Sequence, residues 1–138
     1  MKKAARVMNI LAIIFGVIGM IGLGFLFAAM LIGYLYPDKY IGDINKNLAE
    51  LNQQQITVDQ LKSLAFAFVI IMGVELLVYA IILWLSLSAL RNLRFDTPKK
   101  GSHVGLLVFG ILSLSIIVIL AGSFGIAAAK QNALKNQQ

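Results

Sequence analysis

Three long apolar runs, Val7–Tyr36, Leu64–Leu90 and Val104–Ala129, limit what this chain can fold into. Each is longer than the ~20 residues that carry an α-helix across the hydrocarbon of a bilayer. They predict an all-α integral membrane protein, a three-helix bundle forming one domain over residues 1–138. The expected spans are about 7–36, 64–90 and 104–129, joined by a first loop at 37–63 and a second at 91–103. Composition agrees. Charged residues make up 13% of the chain and hydrophobic ones 59%, whereas soluble domains carry about 25% charged residues. So much apolar surface cannot be hidden in one small soluble core.

Lys2, Lys3 and Arg6 resemble the basic start of a signal peptide. The apolar run behind them is about twice the ~7–15 residues of a signal peptide's core, and Ala28-Ala29 lies inside that run rather than after it. The expected reading is an uncleaved first span that also targets the chain.

Basic residues set the expected orientation. The N-terminus carries Lys2, Lys3 and Arg6, and the second loop carries Arg91, Arg94, Lys99 and Lys100 against Asp96. The first loop balances Lys39, Lys46 and Lys62 with Asp38, Asp43, Glu50 and Asp59. This predicts a cytoplasmic N-terminus and second loop, with the first loop and the C-terminus outside; Lys130 and Lys135 in the tail run against the rule. Tyr34, Tyr36 and Tyr40 cluster at the outer edge of the first span, where aromatic belts sit.

Ile41, Ile44, Leu48 and Leu51 recur at helical spacing and predict a short amphipathic helix in the first loop. Asp38 is its expected cap and Gln53-Gln54-Gln55 its end. Such a helix either rests on the membrane surface or docks an external partner. Thr57 and Gln60 read as a capping box that opens a helix running through the second span. Asp96-Thr97-Pro98 signals a turn, and Ser102 is the expected cap of the third span.

Most chemistries lack their residues. The chain has no cysteine, which removes disulfides, thiolate nucleophiles and thiolate metal ligands. His103 alone builds no metal site. No phosphate-binding glycine loop occurs, and the acids of the first loop lack calcium-ligand spacing. Net charge is +6, but the basic residues flank spans, so lipid headgroups are the expected counterpart and nucleic acid is not. No catalytic residue, metal or cofactor is expected.

Two features concern helix association. Gly16, Gly19 and Gly22 lie with Ala12, Ala29 and Gly33 on one side of the first span. Gly110, Ala121, Gly125 and Ala128 do the same in the third, with Ala121-xxx-Gly125-xxx-Ala129 repeating the small-residue pattern. In lipid, helices associate through such close-packing faces. The faces are expected to meet helices of this chain or of a partner.

The second feature is polar. Glu75 stands in the middle of the second apolar run, with Tyr79 and Ser86 at i+4 and i+11. Ser113 and Ser115 occupy the middle of the third. An ionisable group inside a membrane is costly and marks a candidate functional site. Glu75 can remain protonated and donate to a hydroxyl, or ionise against a cation from outside the chain.

The stretch Thr97-Pro-Lys-Lys-Gly-Ser-His-Val-Gly105 leads through a proline–lysine turn into a Gly/Ile/Leu-rich span with Gly110-Ile-Leu-Ser. It resembles the small Gly/Ile-rich membrane proteins of Gram-positive bacteria that form a domain-of-unknown-function family. The resemblance covers the last third of the chain. It implies a bacterial cytoplasmic membrane and supplies no activity and no site residues. The expected function is a non-enzymatic accessory, regulatory or immunity-type partner of another membrane protein. The alternative is a homo-oligomeric channel or transporter with Glu75 in the pathway.

Overall fold

The computed structural model describes residues 2–94, 100–113 and 115–135. They are all-helical, in five helices: α1 Lys2–Leu35, α2 Pro37–Glu50, α3 Val58–Asn92, α4 Gly101–Leu112 and α5 Ile116–Lys135. α1 and α3 have 34 and 35 residues and are long and apolar enough to cross a membrane. At ~1.5 Å per residue each extends about 50 Å, more than the ~30 Å hydrocarbon core. Their apolar side chains face outward: only 11% and 6% of their most apolar stretches are buried within the chain. Core helices of a soluble protein would show the opposite.

The chain divides into two compact units, Ile21–Leu76 on the one hand, and the residues up to Met20 with those from Leu77 onward on the other. The first contains the end of α1, α2 and the start of α3. α1 stops before Pro37, because a residue preceding proline is driven out of helical backbone. Tyr36 takes φ −129° and becomes the N-cap of α2, with Pro37 in the first turn. Asp38, the expected cap, lies within that first turn instead and makes no capping bond. α2 ends in a Schellman motif. Asn52 adopts φ 53°, its N–H donates to the Ala49 carbonyl at 3.1 Å, and Gln53 N–H donates to Leu48 at 2.8 Å. Asn45 then fixes the connection to α3. Its Nδ2 donates to the Ile56 carbonyl at 3.0 Å, and its Oδ1 accepts from Ile56 N–H at 2.8 Å. The capping box forms as its spacing predicts: Thr57 N–H donates to Gln60 Oε1 at 2.9 Å, and Gln60 N–H to Thr57 Oγ1 at 3.2 Å. The Tyr34 and Phe66 rings pack with centroids 5.6 Å apart, and Gly73 lies under Phe27.

The second unit holds the start of α1, the end of α3, and α4 and α5. One buried cluster joins Ala12, Ile82, Ala89, Leu106, Val118 and Ala121. A smaller one joins Ala5, Leu93 and Ala128. Here the expectation of one span over 104–129, and with it the three-helix bundle, is corrected. The run is broken at Ser113–Ser115 into α4 and α5, which pack against each other. The contacts run antiparallel: a Cβ at Gly110 would stand 2.7 Å from Ile119 N, one at Gly122 2.6 Å from Leu107 N, and one at Gly125 would overlap the His103 ring. Glycine is what lets the two backbones approach this closely. At the break, Ser113 Oγ donates to the Phe109 carbonyl at 2.8 Å, and Ser115 N–H reaches back to Gly110 at 2.9 Å. A serine that bonds its own preceding turn competes with the helix and bends it.

Ser102, the expected cap, instead accepts from Asn92 Nδ2 at 2.8 Å and ties the start of α4 to the end of α3. The turn expected at Asp96-Thr97-Pro98 lies outside the described residues.

Candidate functional site

Tyr79, Ser113 and Ser115 line one small cavity of about 60 Å³, together with Phe15, Gly16 and Ile82. That volume has room for a few water molecules. Its position follows from the hairpin. The open end of α4–α5 lies by Ala5 and Leu93, whereas the broken tip reaches the level of Phe15, Gly16 and Tyr79. From Ala5 to Gly16 is about 16 Å of helix, so the three side chains gather about halfway along a membrane-length helix. Gly16 receives Leu83, and Gly19 lies under the Tyr79 ring. These two glycines therefore set how closely α3 lies on α1 in this unit.

Ser86 is fully buried one turn from Ile82, and among the described residues its Oγ has no hydrogen-bond partner. Two polar groups that sequence reasoning passed over share this state. Asn9 is fully buried; its Nδ2 donates to Ala5 at 2.8 Å, but Oδ1 is unpartnered. His103, in the first turn of α4, is fully buried with both ring nitrogens unpartnered, and burial pushes its pKa below the ordinary histidine range. The available signal was spacing. Asn9 sits between the small residues Ala5 and Ala12, which belong to the two clusters, and Gly125 sits between Ala121 and Ala128, which do the same.

Glu75 belongs to the other unit and behaves differently. It is exposed, and among the described residues its side chain has no hydrogen-bond or ion-pair partner. It is the midpoint of α3, with 17 residues on each side (58–74 and 76–92). Phe68 and Ile71, seven and four residues earlier, lie on the same helix face and are exposed. The stripe Glu75, Tyr79, Ile82, Ser86 thus begins on the outer surface and ends in the core.

The packing faces also separate. Gly110, Ala121, Gly125 and Ala128 are buried in the α4–α5 hairpin and its clusters. Gly22 is exposed, with nothing within 4 Å of where a Cβ would stand. Among the described residues no three His, Asp or Glu side chains gather as metal ligands. No protein-family model matches the chain, and no curated protein and no solved structure proves similar to it.

Proposed function

We propose that this chain is a multi-pass protein of a plasma membrane, of the bacterial cytoplasmic type, and a non-enzymatic accessory or regulatory partner of another membrane protein. The observation that carries the reading is Glu75, exposed and, among the described residues, unpartnered at the midpoint of an apolar helix. An ionised side chain at the centre of a spanning helix costs about 3 kcal/mol on insertion scales. With α3 centred in the ~30 Å hydrocarbon, Glu75 lies about 15 Å from either interface, beyond the reach of its short side chain toward water. A basic or hydrogen-bonding group on a partner helix, laid along Phe68, Ile71 and Glu75, removes that cost.

The orientation that suits this reading has α1 and α3 spanning and α4–α5 entering and leaving by one face. The paired length of the hairpin, about 12 residues of α4, gives ~18 Å, short of the hydrocarbon thickness. The tail then lies with the N-terminus in the cytoplasm rather than outside. By sequence position, nine basic residues fall on that side (Lys2, Lys3, Arg6, Arg91, Arg94, Lys99, Lys100, Lys130, Lys135) and three on the other (Lys39, Lys46, Lys62). The tail lysines now follow the positive-inside rule.

The test is a mild-detergent pull-down of the tagged chain and of Glu75→Gln from native membranes. A second membrane protein should co-purify with the first and be depleted with the variant. Equal recovery with both contradicts the reading.

The hairpin tip favours a second reading, a homo-oligomeric channel or transporter. Non-helical backbone at membrane depth is tolerated where protein buries it or where it lines a water-filled cavity, and Tyr79, Ser113 and Ser115 line a cavity large enough for water. In an oligomer the exposed Glu75 could face a central pathway. Liposomes of the purified chain would then pass protons, ions or small solutes, and Glu75→Gln would change the flux; silent liposomes holding a verified oligomer exclude it.

A further inference from the structure

We propose that the Ile21–Leu76 unit binds a phospholipid with a primary-ammonium headgroup in a groove between the end of α1, α2 and the start of α3. The groove has a volume of about 450 Å³ and is mostly apolar, with Ile32 and Gly33 from α1 and Leu61 from α3 along it. Its polar groups come from one helix, α2, which contributes Tyr40, Asp43 and Asn47. An apolar channel of a few hundred Å³ with a few convergent polar groups has the form of a small-ligand site. One apolar wall and one polar edge select an amphiphile.

Two observations name the amphiphile. The first is depth. The groove adjoins the Tyr34–Phe66 contact and the α1–α2 corner, a stretch of sequence that carries Tyr34, Tyr36 and Tyr40. Aromatic side chains of this kind sit at headgroup level, so an acyl chain enters the groove from the hydrocarbon and its headgroup meets α2. The second is charge. The groove's one charged group is the Asp43 carboxylate, flanked by the Asn47 amide and the Tyr40 hydroxyl. Lys39 lies over the Tyr40 ring at 5.9 Å, and neither it nor Lys46 lines the groove. A primary ammonium has three N–H donors for these acceptors. A quaternary ammonium has none, and an anionic glycerol headgroup would meet a like charge.

Gly33 provides the control. Gly33 lines the groove and nothing lies within 4 Å of a Cβ placed there, so the side chain of Gly33→Leu starts from open space and takes up groove volume. The inference rests on the membrane placement but not on the partner proposed for Glu75.

The experiment titrates delipidated, detergent-purified full-length protein with phosphatidylethanolamine, phosphatidylcholine or phosphatidylglycerol of identical chains, and counts bound lipid by native mass spectrometry. Phosphatidylethanolamine should bind more tightly than the other two by roughly tenfold, the size of one charge-assisted hydrogen bond. Gly33→Leu should abolish the bound lipid while leaving helix content unchanged. Asp43→Asn, a surface change that does not threaten folding, should reduce the preference for the ethanolamine lipid over the choline lipid. Equal binding of all three lipids, tighter binding of the glycerol lipid, or full binding by Gly33→Leu each overturn the proposal. Partner recovery by Gly33→Leu should stay at the wild-type level, so failure here and failure of the Glu75 reading are told apart.

Discussion

Gly125 and Gly22 are chemically the same residue in opposite surroundings. A methyl at 125 overlaps the buried His103 ring, whereas one at 22 meets open space. Gly125→Ala should therefore destabilise by about 1–3 kcal/mol, the usual cost of overpacking. Gly22→Ala should be neutral or stabilising by up to about 1 kcal/mol, the helix-propensity gain over glycine. Thermal unfolding in detergent compares the two. His103 makes a second prediction at this scale. Its folded-state pKa lies below the unfolded value because a buried ring resists charging. The unfolded chain thus binds the proton first, and stability held above pH 6.5 is lost as pH falls from there through the folded-state pKa. The unfolding midpoint should drop between pH 7 and pH 5 (roughly the histidine range), and His103→Leu should flatten that dependence. The sequence made Glu75 visible as a lone carboxyl in an apolar run, but not the direction it faces. α3 is apolar nearly all round, so no periodicity marks an inner side. A lone histidine builds no metal site, so nothing in the sequence singles out His103; its ring packs against Gly125, 22 positions away, a pairing that periodicity does not encode.

The helices divide into those whose ends are written locally and one pair whose break is not. Pro37 ends α1, and Thr57 with Gln60 opens α3, through contacts no more than four residues apart. Thr57→Ala should cost about 1 kcal/mol, a usual cap loss, and should speed hydrogen exchange at the Gln60 amide. The break between α4 and α5 has weaker writing. Ser113 and Ser115 stand in a run whose length alone suffices for a span. What divides it is tertiary: glycines at 110, 122 and 125 fit the two halves against each other. The small-residue face was legible, but its partner turned out to be the preceding half of the same apolar run. Because the chain has no cysteine, single cysteines can report the consequence. With a membrane-impermeant thiol reagent, Gln131→Cys should label from the same side as Lys3→Cys, and Gln54→Cys from the opposite side. Labelling of Gln131→Cys together with Gln54→Cys would restore a third crossing.

At the scale of the whole molecule, apolar helices facing outward are compatible with a lipid environment, and lipid accepts every exposed side chain at the middle of α3 except one. The core near His103 is closed by the chain's own residues, whereas the seam of Phe68, Ile71 and Glu75 is not. In the proposed reading the buried cluster supplies stability and the exposed carboxyl supplies association. The asymmetry was legible in part, since the lone carboxyl stands out in the composition, but its lack of a partner depends on the three-dimensional path of every other polar group. The most direct measurement is the particle mass and protein content of the tagged chain extracted from native membranes in mild detergent, beside Glu75→Gln prepared in the same way. A stoichiometric second membrane protein with the wild-type chain, and its loss from a variant of unchanged helix content, is the expected result. A monomer without partners, or the same complex in both preparations, would contradict the role given to Glu75.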